Sequence, residues 1–195
     1  MNAFLELLFP PQCGGCDALG SGFCARCRAQ CVVQSAHANR LKVHGAGRYE
    51  GPLRRAIIAL KDGRRDVAHA LGALLAPLVD PRCLLVGVPT TAARARARAF
   101  DGGALLAQIA ALQSGTCAVP LLHHHGKDAQ RGRNREARLA ARGRFSIREP
   151  VTADREILLV DDVMSTGATL LDCAQAITNA GGFVRGAIVL AVNAP

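Results

Sequence analysis

Hydrophobic residues recur along this chain at two spacings, and segments of the two kinds alternate. Short apolar or alternating runs bounded by Gly or Pro predict strands. These runs lie at 42–51, 83–89, 118–122, 145–147, 156–160 and 183–192. Apolar residues three or four positions apart predict helices. These segments lie at 52–60, 66–79, 102–113, 135–141 and 169–180. Strands that alternate with helices predict an α/β fold, in which helices flank a parallel sheet.

The N-terminal stretch MNAFLELLFP has an apolar spacing that fits one or two turns of an amphipathic helix. It lacks the basic front and small-residue cleavage site of a signal peptide. No apolar run approaches the roughly 20 residues of a transmembrane helix. We therefore expect a cytoplasmic protein without a membrane span, whose N-terminal helix packs on the body of the molecule.

Four of the eight cysteines form two Cys-x-x-Cys pairs, CGGC and CARC, separated by seven residues. They are Cys13, Cys16, Cys24 and Cys27. Two such pairs can close a tetrahedral four-sulfur site, which suits structural zinc. Disulfides are the alternative, but a cytosolic protein without a secretion signal disfavours them. Cys31 lies close enough to replace Cys27 as a ligand, so the fourth ligand stays open.

The formal net charge of +9 favours an anionic partner such as phosphate, nucleic acid or a membrane surface. Much of the basic excess lies in residues 123–144, where seven Arg or Lys face two acids. We interpret this segment as a mobile basic excursion. The histidine triplet at the start of this segment, His123 to His125, has the wrong spacing for a metal site on one face of a helix or strand. It is expected to be a solvated turn. Residues 32–42 are mixed and polar, and are interpreted as a linker.

In the stretch ILLVDDVMSTGAT at 157–169, two acids, Asp161 and Asp162, directly follow a predicted apolar strand. A glycine, Gly167, and three hydroxyl residues follow before the next predicted helix. The hydroxyl residues are Ser165, Thr166 and Thr169. A helix N-terminus with hydroxyl donors and a close backbone approach can hold a phosphate monoester. Carboxylates beside it suit the cis-diol of a sugar. The alternative is structural: Asp161 caps a turn, and the loop is a helix cap without a ligand.

This stretch resembles the phosphoribosyl pyrophosphate signature of type I phosphoribosyltransferases. Other segments extend the likeness to the ComF/GntX family of competence-associated proteins. They are LLFPPQCGGC followed by CARC, YEGPLRRAIIALKDG, VGVPTTAARARARAFDGGALLAQIA and KDAQRGRNREAR. The resemblance implies a zinc finger at 1–35 and a phosphoribosyltransferase-like domain at 42–195.

The resemblance also implies roles for individual residues. Asp161 and Asp162 would hold the ribose hydroxyls, and Ser165, Thr166, Gly167, Ala168 and Thr169 would hold the 5-phosphate. The pyrophosphate loop would comprise Pro89, Thr90, Thr91, Arg94 and Arg98, with Lys61 as a further contact. The charge pattern agrees with this assignment, since Arg94, Arg96 and Arg98 can each form two N–H contacts with phosphate oxygens. The alternative for the three arginines is a solvated basic helix face.

Two functions follow from the resemblance. The first is transfer of a phosphoribosyl group, with magnesium and release of pyrophosphate, to an acceptor that no residue identifies. In such enzymes a flexible loop closes over the reacting centre, and Lys127, Arg131 and Arg135 are its candidates here. The second is a non-enzymatic module that binds single-stranded DNA and works with DNA-uptake proteins.

The chain departs from the family pattern at Gly87, Ala99, Asp101 and Ser165, and the family's usual Asn after the Arg138 region is not evident. Ala99 stands in place of a glycine, which is expected to restrict the pyrophosphate loop. Asp101 adds a negative charge that is expected to weaken anion binding. Gly87 replaces the first Pro of a Pro-Val-Pro segment. Ser165 occupies the position of a base-contacting acid in purine-salvage relatives, which argues against simple purine salvage.

Overall fold

The computed structural model describes residues 10–125, 144–148 and 156–193. Its strands are β1 (Gln34–Ala38), β2 (Leu41–Arg48), β3 (Leu84–Gly87), β4 (Leu122–His124), β5 (Phe145–Ile147), β6 (Ile157–Met164) and β7 (Val184–Val192). Its helices are α1 (Ala25–Arg28), α2 (Gly51–Lys61), α3 (Asp66–Leu75), α4 (Ala92–Arg98), α5 (Gly102–Ser114) and α6 (Ala168–Asn179), with a 3-10 turn at Ala76–Leu78. The predicted helix at 135–141 and nearly all of the predicted N-terminal helix lie outside the described residues.

Five strands form one sheet in the order β1-β2-β7-β6-β3. The strands from β2 to β3 run parallel, and β1 joins the edge antiparallel to β2. Strands β4 and β5 form a separate antiparallel hairpin. The expected α/β architecture with a mostly parallel sheet is therefore confirmed. Its finer assignment to the phosphoribosyltransferase type stays a prediction.

The central strands are apolar on both faces because helices cover both sides of the sheet. On strand β7, Ile188 and Leu190 are buried with side chains from α2, α3 and α5. Ala187 and Val189, which point to the other face of the strand, pack instead with α6 and the β4–β5 hairpin. This alternation divides the core into two layers, and every residue of β7 from 186 to 192 is buried.

The cysteine-rich segment packs against the first of these layers. Phe23, Cys13 and Cys27 are buried in the same apolar cluster as Ile57 and Val67. The Arg55 Nε donates a hydrogen bond of 2.6 Å to the carbonyl oxygen of Gly15, which ties the segment to α2. The expected division into 1–35 and 42–195 stays a prediction.

Several predicted boundaries are wrong, and in each case contacts distant in sequence decide the structure. Residues 34–38 were expected in a linker, but they form β1 because Ala36 and Ala38 face the core against β2. The predicted strand at 118–122 reduces to an isolated bridge between Ala118 and Leu85, and the strand begins at Leu122.

The histidine triplet is also not a solvated turn, because His123 and His124 lie in β4 and pair with β5. Among the described residues, no helix is long and apolar enough to cross a membrane.

Candidate functional site

The four cysteines of the two Cys-x-x-Cys pairs come together, with all four sulfur atoms within 4.8 Å of one another. The Sγ atoms of Cys13 and Cys27 are 3.8 Å apart, and those of Cys16 and Cys24 are 3.7 Å apart. Tetrahedral zinc with Zn–S bonds of about 2.3 Å requires sulfur separations of about 3.8 Å. The cluster could therefore hold a metal such as zinc.

Backbone donors favour the thiolate form of Cys13, which is the form that binds metals. The N–H groups of Gly15 and Cys24 donate to its Sγ at 3.4 and 3.3 Å. Burial raises the pKa of this thiol, but these backbone hydrogen bonds outweigh burial and lower the pKa to about 6.

Cys31 is not part of the four-sulfur cluster. Its thiol donates instead to the carbonyl oxygen of Cys27 at 3.8 Å. Burial raises the pKa of both Cys31 and Cys27, so the thiol pKa does not distinguish the two candidates. Of the two cysteines that the sequence left open as the fourth ligand, the geometry favours Cys27.

A cleft of about 580 Å³ opens at the carboxyl ends of β3 and β6. The chain after β3 leads to α5 on one face of the sheet, and the chain after β6 leads to α6 on the other. Neighbouring connections that leave a parallel sheet on opposite faces create a crevice, which is where ligands bind in open α/β sheets.

Ten predicted site residues line this cleft. They are Lys61, Pro89, Thr90, Thr91, Arg94, Arg98, Asp161, Asp162, Ser165 and Thr169. Thr166 and Gly167, in the same turn as Ser165, and Ala168, the first residue of α6, do not line the cleft.

Arg96 is not among the lining residues, because residues two positions apart on a helix point to different sides. The proposed loop contacts Lys127, Arg131 and Arg135 lie outside the described residues.

The acid pair lies inside strand β6 rather than beyond its end. The sequence predicted that the strand ends at 160, but pairing with β7 continues to Met164. The backbone N–H of Asp162 donates to the Asp161 Oδ1 at 2.8 Å, and the Lys61 Nζ lies 3.1 Å from the Asp162 Oδ1. The carboxylate of Asp162 is thus paired with a cation, whereas Asp161 has a backbone partner.

The environment of Asp161 disfavours its ionised form. Burial and the neighbouring Asp162 raise the pKa of Asp161 to about 8, against the smaller opposing effects of the Asp162 N–H and of Lys61. A carboxyl group in this state can donate or accept hydrogen bonds within the cleft. The arrangement therefore suits a hydroxyl-bearing ligand.

The turn before α6 depends on a glycine with a positive φ angle. Gly167 has φ +75, and a Cβ atom added there would lie 2.3 Å from the Cβ of Ala38. The Thr166 Oγ1 accepts a hydrogen bond of 3.4 Å from the Ala168 N–H. Helix α6 begins at this point, so its N-terminal N–H groups and partial positive charge lie beside Ser165 and Thr169.

Two arginines add positive charge to the lining of the same cleft. Arg94 and Arg98 lie four positions apart on α4, so they share one side of that helix. In the described part of the chain, neither guanidinium forms an ion pair. Unpaired arginines in a cleft are suited to bind an anion with two hydrogen bonds each.

Asp101 has a structural role that its sequence context did not reveal. Its carboxylate caps α5 by accepting from the Ala104 N–H at 3.1 Å, and it also accepts from the Thr90 N–H at 2.9 Å. The negative charge is thus satisfied by two backbone donors. The cost is that the Thr90 N–H is no longer available to a ligand.

The other two departures in this region have physical explanations. A Cβ atom at Gly87 would lie 2.5 Å from the backbone of Gly103, so the end of β3 touches the start of α5 backbone to backbone. Ala99 ends α4 in the left-handed conformation with φ +61, where a glycine would be unstrained. The loop therefore keeps its conformation at a cost in backbone strain.

The lining residues that were not predicted as part of a site include His124 and Phe145. These two belong to the β4–β5 hairpin and are directly opposite each other in its register. Because about 20 residues separate them in sequence, no local pattern indicates their pairing.

A scan against protein-family models and a search of curated proteins find no match for this chain. The functional assignment therefore depends on the chemistry of the cleft. That chemistry consists of an acid pair, a hydroxyl-rich turn at a helix N-terminus and two arginines around one volume.

Proposed function

We propose that this protein binds phosphoribosyl pyrophosphate with magnesium in the cleft and transfers the phosphoribosyl group to an acceptor, releasing pyrophosphate. The observation that carries the proposal is that Arg94 and Arg98 line the same cleft as Asp161, Asp162 and the hydroxyl residues Ser165 and Thr169. A ligand with a sugar diol between two separate phosphate groups matches this distribution. The sequence resemblance to the ComF/GntX family supports the same assignment.

The sugar and its 5-phosphate would bind on the β6 side. Hydroxyls of the ribose would hydrogen-bond to the carboxyl groups of Asp161 and Asp162. The phosphate would lie at the start of α6, where Ser165 and Thr169 line the cleft and backbone N–H groups lack helical partners. Gly167 supports this site because its close contact with Ala38 sets the path of the turn.

The pyrophosphate group would bind on the α4 side. Arg94 and Arg98 offer guanidinium groups without ion pairs among the described residues, and Thr91 lies at the start of the same helix. The Lys61 ammonium is held by Asp162, so it would bridge the two halves of the site. Magnesium prefers oxygen ligands and would neutralise charge between the ribose hydroxyls and the pyrophosphate oxygens.

Most of the rate enhancement would come from positioning and charge stabilisation. Bond cleavage at the anomeric carbon leaves negative charge on the pyrophosphate oxygens, which Arg94 and Arg98 would stabilise. Positive charge that develops on the ribose would lie near the Asp161–Asp162 pair. We also propose that the four-cysteine cluster holds a structural zinc ion, because its four sulfur atoms lie within 4.8 Å of one another and two of their separations match tetrahedral coordination.

Calorimetry with phosphoribosyl pyrophosphate and magnesium tests the binding step. We expect Arg94→Ala and the double variant Asp161→Asn/Asp162→Asn to weaken binding strongly. Arg96→Ala is the matched control, because Arg96 lies on the same helix but does not line the cleft. Equal binding by Arg94→Ala and Arg96→Ala would contradict the proposed site.

Pyrophosphate release measured across a panel of bases and amines tests the transfer step. Release that depends on an added acceptor and is lost in the Asp161→Asn/Asp162→Asn variant is the expected result. If no base or amine gives pyrophosphate release and the protein binds single-stranded DNA in a salt-dependent way, the non-enzymatic module is favoured instead.

A further inference from the structure

The three consecutive histidines do not share one environment, because side chains alternate between the two faces of a strand. The rings of His123 and His125 contact each other at 5.1 Å, and the His125 Nε2 is 2.8 Å from the Ser146 Oγ. His124 lies on the other face, where its ring meets Phe145 edge-on at 4.9 Å. Of the three, His124 alone lines the candidate cleft.

His124 has an unsatisfied polar atom. Its Nδ1 is buried and has no hydrogen-bond partner in the part of the chain that the structure describes. A buried polar atom without a partner is costly, and in native proteins it marks a place where another molecule completes the hydrogen bonding or where the ring reorients to reach one. His124 lines the cleft, so a reorientation of its ring that brings the shielded Nδ1 to the cleft surface would give this atom a ligand as its partner.

The groups around His124 are mostly cationic. Arg94 approaches from α4, Arg144 precedes β5, and His123 is the neighbour in β4. Asp172 of α6 holds Arg144 through an ion pair of 2.7 Å. Burial, followed by the charge of Arg144, lowers the pKa of His124, so its imidazole is neutral at pH 7.

We propose that the His124 ring donates a hydrogen bond to a pyrophosphate oxygen on the wall that it shares with Arg94 and Arg144. This inference rests on the proposed function, and it extends the anion site from α4 to the β4–β5 hairpin. An arriving anion offsets the repulsion from Arg94 and Arg144, so binding at slightly acidic pH draws a proton onto the ring. His124 thereby links anion binding to pH.

The probe for this inference is inorganic pyrophosphate with magnesium, titrated by calorimetry into the full-length protein at pH 6 and pH 8. We expect His124→Leu to bind pyrophosphate about tenfold more weakly, which is the loss for one hydrogen bond to a charged group. His124→Gln keeps a side-chain donor and should recover part of that loss. His123→Leu is the control on the opposite face of the strand, and it should bind like the wild type.

A second readout separates ligand contact from a structural role. Titration in two buffers of different ionisation enthalpy reports the net protons exchanged; because pyrophosphate itself titrates in this range, we expect a larger proton uptake at pH 6 for the wild type than for His124→Gln. Wild-type affinity and proton uptake in both His124 variants would overturn the inference. So would a loss in His123→Leu equal to that in His124→Leu.

The same experiment distinguishes this inference from the proposed function. If Arg94→Ala loses pyrophosphate and the His124 variants do not, the role of His124 fails while the anion site stands. If the His124 variants lose pyrophosphate but no acceptor ever gives pyrophosphate release, the anion contact stands and the transfer reaction fails. If the wild type binds neither pyrophosphate nor phosphoribosyl pyrophosphate, both are overturned.

Discussion

Replacing Gly167 by alanine tests whether the turn before α6 depends on both its backbone conformation and its contact with β1. Gly167 has φ +75, and a Cβ atom there would lie 2.3 Å from the Cβ of Ala38. Gly115 has nearly the same angle, φ +74, but nothing lies within 4 Å of its added Cβ. The two substitutions therefore share the conformational cost and differ in the steric contact.

The expected magnitudes follow from these two geometries. Alanine in the left-handed conformation costs about 1–2 kcal/mol, which is the whole expected effect at Gly115. Overpacking against Ala38 adds about 1–3 kcal/mol, so Gly167→Ala should lose about 2–5 kcal/mol of unfolding free energy. For a chain of this size the melting temperature should fall by about 2–4 °C for each kcal/mol.

Urea denaturation followed by circular dichroism measures both variants and the double variant Gly167→Ala/Ala38→Gly. Removing the Ala38 Cβ should restore the steric part of the loss and leave the conformational part. The reasoning is refuted if Gly167→Ala is no less stable than Gly115→Ala, or if the double-variant cycle shows no coupling between Gly167 and Ala38.

Three further predictions concern the cysteine cluster, the acid pair and the loop capped by Asp101. Cys27→Ser should lower the zinc-to-protein ratio measured by elemental analysis, and Cys31→Ser should not. An equal loss of zinc in both variants would contradict the choice of Cys27 as the fourth ligand. Asp161→Asn should stabilise the protein at pH 8.5 and have little effect near pH 4. The reason is that the pKa of Asp161 is raised to about 8, so this group costs no stability below pH 4, where it is protonated in both states, and costs increasingly more as pH rises to 8. Urea titrations at both pH values check this, and a pH-independent difference would be the contrary result. Asp101→Ala should lose about 1–2 kcal/mol in urea denaturation, because it removes the cap of α5 and the acceptor for the Thr90 N–H; unchanged stability would show that neither bond matters.

The amino-acid sequence by itself determined the parts of this protein that depend on neighbouring residues. Periodicity identified most helices and the central strands, because burial on one or both faces imposes a spacing of side chains. The two cysteines of each Cys-x-x-Cys pair are close because one tight turn joins them, and only seven residues separate the two pairs. The resemblance to the phosphoribosyl pyrophosphate signature predicted one site from the 157–169 stretch and the loop after β3, and both segments line one cleft because parallel strands end at the same edge of the sheet.

Only the tertiary structure decided the features that join distant segments. Strand β1 exists because an edge of the sheet accepts it, although its sequence, QSAHA, has a weak apolar pattern. His124 lines the cleft because β4 pairs with a strand about 20 residues away. Asp101 caps α5 and binds Thr90 because helix packing brings the two loops together. Such contacts depend on which elements pack against each other. That packing is decided by residues distant in sequence, so no single segment of the chain predicts it.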